Sequence, residues 1–66
     1  MNITYQKVLD YACYNSYYIE EWETDDGYAI SVYTSTYTKE NYYFDSNKNF
    51  LEWEEEDALS WLIDDN

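Results

Sequence analysis

Sixty-six residues allow one domain, and a chain that short buries only about 60% of the surface its unfolded form exposes, so its core must be small. Fifteen acids against three lysines, with no arginine or histidine, give a net charge of −12, which keeps the chain soluble, opposes its own compaction and steers it toward cationic partners. These totals exclude direct binding to nucleic acid, whose phosphates need Lys or Arg; an aromatic content of 23% also speaks against an acidic disordered segment.

In chain order, Tyr5, Val8, Leu9, Ala12 and Cys13 recur at helical spacing between Ile3 and Asn15. They predict a helix with one apolar stripe and Asn2 or Thr4 as its N-cap. Cys13 lies on that stripe as a buried, reduced thiol, and as the lone cysteine it has no intramolecular disulfide partner. The start MNITYQK lacks the basic and apolar regions of a signal peptide, and no apolar run approaches a membrane span. The expectation is a cytoplasmic protein.

A first strand is predicted over Tyr17 to Thr24, with Tyr18 and Trp22 on one side and Tyr17, Ile19, Glu21 and Glu23 on the other. Glu20 breaks this alternation, so either the strand lies at a sheet edge, where Glu20 reaches water, or this register is wrong. The turn Asp25-Asp26-Gly27 holds the only glycine. A two-residue loop would set Glu21 and Glu23 beside Val32 and Ile30, whereas a three-residue loop sets Trp22 beside Ile30 and Tyr18 beside Thr34. The second is preferred, because it matches the apolar patterns and uses Gly27 as the left-handed residue of a bulged turn.

Tyr28 to Thr38, YAISVYTSTYT, carries no charge and alternates β-branched and aromatic residues, as expected of a central strand. Tyr37-Thr38-Lys39 reads as a loop and Glu40 to Asp45 as a third strand with Tyr42 and Phe44 inward. Ser46-Asn47-Lys48-Asn49 is a turn leading to a fourth strand, Phe50 to Trp53, that pairs Phe44 with Leu51 and Tyr42 with Trp53. From Glu54 a short helix is predicted through Ala58, Leu59, Trp61, Leu62 and Ile63, with Glu54 to Asp57 complementing its positive end.

The sum is one α+β domain over residues 1–66: an N-terminal helix, a four-stranded antiparallel meander and a short C-terminal helix, both helices on one face of the sheet. The other face then shows Tyr17, Ile19, Glu21, Glu23, Tyr33, Tyr43, Phe50 and Glu52, an aromatic surface rimmed by carboxylates with no basic residue on it.

Asp45, Asn47, Asn49 and Glu56 fall at the first, third, fifth and twelfth positions of an EF-hand loop, but Phe50 stands where that loop needs glycine and the preceding residues read as strand. A hairpin turn is the better reading, and no metal or cofactor is expected. Without histidine and with one cysteine there is no nucleophile-and-base pair, and carboxylate pairs need a cleft that so small a chain lacks. The chain is not expected to be an enzyme.

What remains is partner binding. Acids two apart on a strand, such as Glu21 and Glu23, stand about 6.6 Å apart, the scale of phosphate spacing along a nucleic-acid strand. The candidate surface comprises Glu21, Glu23, Asp25, Asp26, Tyr33, Tyr43, Glu52, Glu54, Glu55, Glu56 and Asp57, in which aromatics anchor and carboxylates steer. Ordinary surfaces intersperse both signs of charge, so a merely solvated face explains fifteen acids against three lysines less well.

Small, single-domain, strongly acidic, tyrosine-rich chains without catalytic residues resemble phage- and plasmid-encoded inhibitors of nucleic-acid enzymes: anti-CRISPR proteins, anti-restriction DNA mimics and uracil-DNA glycosylase inhibitors. The resemblance covers size and composition and involves no shared motif; the vocabulary of KENYYFDSNKNF suggests an AT-rich coding source such as a phage. It implies a stoichiometric inhibitor in the cytoplasm of an infected bacterial host, occupying the basic nucleic-acid site of a defence protein such as a CRISPR effector. The alternative is a structural or adaptor module, homodimeric through the open aromatic sheet face.

Overall fold

Residues 2–57 are described by the computed structural model. They form one helix, α1 (Tyr5–Tyr14), and four strands, β1 (Tyr18–Glu23), β2 (Gly27–Tyr33), β3 (Thr38–Asp45) and β4 (Phe50–Asp57), paired in chain order as an antiparallel meander. The α+β class, the N-terminal helix and the four-stranded sheet are as the periodicities predict.

α1 begins where the Thr4 hydroxyl accepts the backbone N–H of Lys7 at 3.1 Å. It ends in a Schellman arrangement, with the N–H of Tyr17 on the carbonyl of Ala12 at 2.8 Å and that of Ser16 on Cys13 at 3.1 Å. Ser16 takes φ 59°, the left-handed conformation that glycine usually supplies. Val8 and Ala12 are buried against Ile30, Val32 and Phe44 of the sheet, with Tyr5, Leu9, Ile19 and Tyr42 packed around them. Cys13 is exposed, against its expected burial: it lies at the rim of the stripe, and Ala12 faces the sheet in its place.

The β1–β2 hairpin departs from both predicted registers. Thr24 and Gly27 exchange backbone hydrogen bonds at 2.9 and 3.3 Å, closing a two-residue loop of Asp25 and Asp26, and the Thr24 hydroxyl also accepts the Gly27 N–H at 2.9 Å. Glu21 therefore opposes Ile30, and Trp22 opposes Ala29. Gly27 has no positive φ; it is needed because a Cβ there would collide with the backbone of Phe44 and Asp45 across the β2–β3 pair. A shift of one residue turns a whole strand over. Ile19 and Glu21 thus join the helix-covered face, with Tyr17 packed against its core and Glu23 following in the alternation, while Tyr18, Glu20 and Trp22 take the open one.

β2 ends at Tyr33, and the loop runs over 34–37 instead of 37–39, held by the N–H groups of Thr34 and Ser35 on the carbonyl of Thr38. Lys39 consequently stands within β3, opposite Tyr33 and Glu56, so the open face does carry a basic residue. At the next turn the Asp45 carboxylate accepts the backbone N–H groups of Asn49 and Asn47, each at 2.9 Å, which holds its carboxyl below the usual carboxylate range. A bulge at Leu51 pairs Phe44 with Phe50 instead of Leu51, while Tyr42 opposes Trp53 as expected; Phe50 thereby joins the covered face.

Glu54 to Asp57 are predicted to open a helix. These residues continue β4 and are not the first turn of a helix, because their backbone pairs with Thr38 to Asn41 of the neighbouring strand. Ala58 to Ile63, the body of the predicted C-terminal helix, lies outside the described residues.

Candidate functional site

The face of the sheet turned away from α1, termed open because no element among the described residues covers it, is built from alternate residues of all four strands. Across it the register aligns Trp22, Ala29, Tyr43 and Glu52 in one row, Glu20, Ser31, Asn41 and Glu54 in the next, and Tyr18, Tyr33, Lys39 and Glu56 in a third. Its centre is polar yet buried: Ser31 is 1% and Asn41 3% exposed. A buried hydroxyl and amide need partners, and here they find them in a continuous chain.

The Trp22 indole N–H donates to Ser31 Oγ at 3.1 Å. Ser31 donates to Asn41 Oδ1 at 2.6 Å, and Asn41 Nδ2 to Glu54 Oε2 at 3.4 Å. The Tyr43 hydroxyl donates to the same Glu54 oxygen at 2.6 Å. Trp22 and Tyr43 meet edge to face, ring centres 5.9 Å apart, over an Ala29 that has no exposed surface. The small side chain at Ala29 is what lets the two rings close.

At the other end of the face the Lys39 ammonium lies 3.1 Å from Glu56 Oε1 and 5.6 Å from the centre of the Tyr33 ring, whose hydroxyl donates to Glu20 at 3.2 Å. Burial works against the lysine's charge, but the hydrogen bond to Glu56 and the nearby Tyr33 and Glu20 outweigh it and its pKa is raised.

Tyrosine-to-glutamate hydrogen bonds recur on the covered side. Tyr5 donates to Glu21 at 2.5 Å, and Tyr11 and Tyr42 both donate to Glu40, at 3.0 and 3.1 Å. Burial, reinforced by the bonded carboxylates, pushes the hydroxyls of Tyr5, Tyr11 and Tyr43 up to about 12. That direction makes them poor acids and bases near neutrality and good neutral donors. They orient carboxylates in a chain with almost no base to do so.

The predicted surface is thereby divided. Tyr33, Tyr43, Glu52, Glu54 and Glu56 share the open face. Glu21, Glu23, Glu55 and Asp57 alternate to the other side, with Glu21 engaged by Tyr5, and Asp25 and Asp26 form the β1–β2 turn. Tyr18, Glu20, Trp22, Ser31, Lys39 and Asn41 belong to the open face and were not among the candidates. Glu20's misfit was the available signal: moving the hairpin by one residue sets Glu20 opposite Ser31 and removes the conflict.

β4 is a sheet edge whose residues 51–57 are all exposed. Glu52, Glu54 and Glu56 follow one another along it on the open side at about 6.8 Å intervals. Among the described residues no three His, Cys, Asp or Glu side chains form a metal-binding group, and no helix is long and apolar enough to cross a membrane. No family model, no curated protein and no solved structure matches the chain.

Proposed function

We propose that this protein is a stoichiometric inhibitor that occupies a basic nucleic-acid-binding site on another protein, in the manner of anti-CRISPR and DNA-mimic proteins, in the cytoplasm of an infected bacterial host. The observation that carries the reading is the row Glu52, Glu54, Glu56 on an exposed edge strand, with Tyr43 opposite Glu52 and Trp22 against Tyr43, whereas Tyr33 on the same face is buried. Carboxylates at a spacing near that of phosphates offer a basic groove a substitute for its ligand, and the rings supply the apolar contact that desolvates an interface. The role is binding without catalysis, with neither cofactor nor metal. The C-terminal helix on the α1 side of the sheet belongs to the same reading of the chain.

The test is competition and salt dependence with an isolated basic target, such as a CRISPR effector nuclease. Binding should weaken steeply between low and physiological salt and should be displaced by duplex DNA. Reversing Glu52, Glu54 and Glu56 to lysine together should abolish it, while Ser35→Ala, in the β2–β3 loop, should leave it unchanged. A complex that ignores salt and survives the reversals would sink the reading.

Exposed Tyr18, at 61%, and Trp22, at 40%, favour a second reading, a homodimer through the open face. Sedimentation at several concentrations separates the two, since a tight dimer would bury the face that a partner needs. Against it stands repulsion: each copy would bring Glu20, Glu52, Glu54 and Glu56 to the contact.

A further inference from the structure

We propose that Trp22, Tyr43 and Glu54 form a socket for an arginine side chain of the partner, a refinement that rests on the partner-binding reading above. The molecule contains its own precedent. On the same face the Lys39 ammonium is held between the Tyr33 ring at 5.6 Å and the Glu56 carboxylate at 3.1 Å. The Tyr43 and Glu54 pair repeats this aromatic-plus-carboxylate combination one step along the sheet, and Trp22 adds the ring type that attracts cations best.

This second unit cannot be filled from within the described residues. Lys39 is committed to Glu56, Lys48 lies over Tyr5 and Tyr28 at 4.4 and 5.2 Å, and Lys7 caps back onto the Asn2 carbonyl from α1. The chain has three basic residues in all, so a cation in the socket must come from another molecule, and a second copy has no arginine to offer.

The unit is also held ready. Glu54 Oε2 is fixed by Tyr43 and Asn41, and the same chain of hydrogen bonds reaches through buried Ser31 to orient Trp22. Glu54 Oε1 accepts no hydrogen bond among the described residues, which leaves it for a partner's donor. A guanidinium fits because it can donate to one carboxylate oxygen while its plane rests on an aromatic ring, and it sheds water more readily than an ammonium. Arginine is also the side chain that nucleic-acid sites use against phosphate, and a carboxylate placed before rotation is lost on binding keeps more of the interaction as affinity.

The test uses the full chain labelled with nitrogen-15, titrated at low salt with hexa-arginine and, separately, hexa-lysine. Hexa-arginine should move the Trp22 indole N–H resonance more than that of Trp53 and should bind several-fold tighter than hexa-lysine. Glu54→Gln should weaken hexa-arginine binding about tenfold or more, the range of a charge-assisted hydrogen bond. Glu55→Gln, the same change of charge one residue along on the other side of β4, should weaken it less than about threefold, as for an exposed ion pair. Tyr43→Phe, which keeps the ring and removes the donor to Glu54, should fall between the two.

Equal losses for Glu54→Gln and Glu55→Gln would overturn the socket and leave the mimicry reading standing on general electrostatics. Equal affinity for the two peptides would overturn the arginine assignment. A Trp22 resonance that moves with protein concentration alone would assign the face to a second copy. Absence of any peptide binding at low salt would remove both the socket and the reading it rests on.

Discussion

The two faces of this sheet are held together by different physics. Under α1, Ile30, Val32 and Phe44 have no exposed surface and meet Val8 and Ala12 in an apolar core. On the open side the buried centre is Ser31 and Asn41, hydrogen-bonded to each other and wired to Trp22 and Glu54. Burial without direction stabilises the first; the second requires every donor and acceptor to be placed, which costs specificity of geometry and returns a fixed arrangement of rings and charges. One face makes the fold, and the other presents a defined pattern to whatever approaches it.

The largest effect should come from the covered face. Phe44→Ala removes a fully buried ring and should cost about 3–5 kcal/mol, close to all that a core in so short a chain supplies. Circular dichroism in a denaturant series should show a protein largely unfolded without denaturant; a well-folded variant would mean that the core does not carry the fold.

Next is Asn41→Ala on the open face. It strips Ser31 of its acceptor and Glu54 of a donor and should cost about 1–3 kcal/mol. The double change Ser31→Ala with Asn41→Leu removes both ends of the central bond and should recover part of that loss; the Trp22 indole N–H then loses its acceptor and Glu54 stays without the Asn41 donor. A double-mutant cycle in which the two losses simply add would show that the faces do not differ in this way.

The tyrosine clamps are common to both faces, and alkaline titration tests whether they act alike. Tyr5 and Tyr11 on the covered face and Tyr43 on the open face have hydroxyls raised from 10.0 to about 12. A pKa raised by folding means that the native state keeps protons the unfolded chain would lose. The stability is therefore fully present below about pH 10 and is lost as pH rises toward 12. Tyrosinate absorbance should show ionisation extending to about pH 12, with loss of structure in the same interval.

The smallest effect lies outside both faces. Ser16→Gly relieves a left-handed serine at the end of α1 and should add about 0.5 kcal/mol, the left-handed penalty less glycine's greater loss of freedom on folding. A rise in the denaturation midpoint with an unchanged slope would confirm it.

Much of this was legible before folding. The stripe of Tyr5, Val8, Leu9 and Ala12 identifies α1, the uncharged run from Tyr28 identifies a central strand, and Tyr42 opposite Trp53 identifies the last hairpin. Glu54-Glu55-Glu56-Asp57 misled, because four acids in a row have no period to read; only pairing with β3 makes them strand. The open face was half legible: Tyr33, Tyr43 and the alternate glutamates of β4 were visible, whereas Trp22 and the buried link through Ser31 and Asn41 were not.

What the sequence determined by itself is the inventory: an amphipathic N-terminal helix, strands in meander order, an excess of acid gathered beside tyrosine and tryptophan, and too few bases to neutralise it. What only the tertiary structure decided is which of those acids share a surface. Side chains on a strand alternate every residue, so the one-residue setting of the β1–β2 hairpin, closed by Thr24 and Gly27 with Gly27 pressed against the backbone of β3, sends Glu20 and Trp22 to the open face and Glu21 to the covered one.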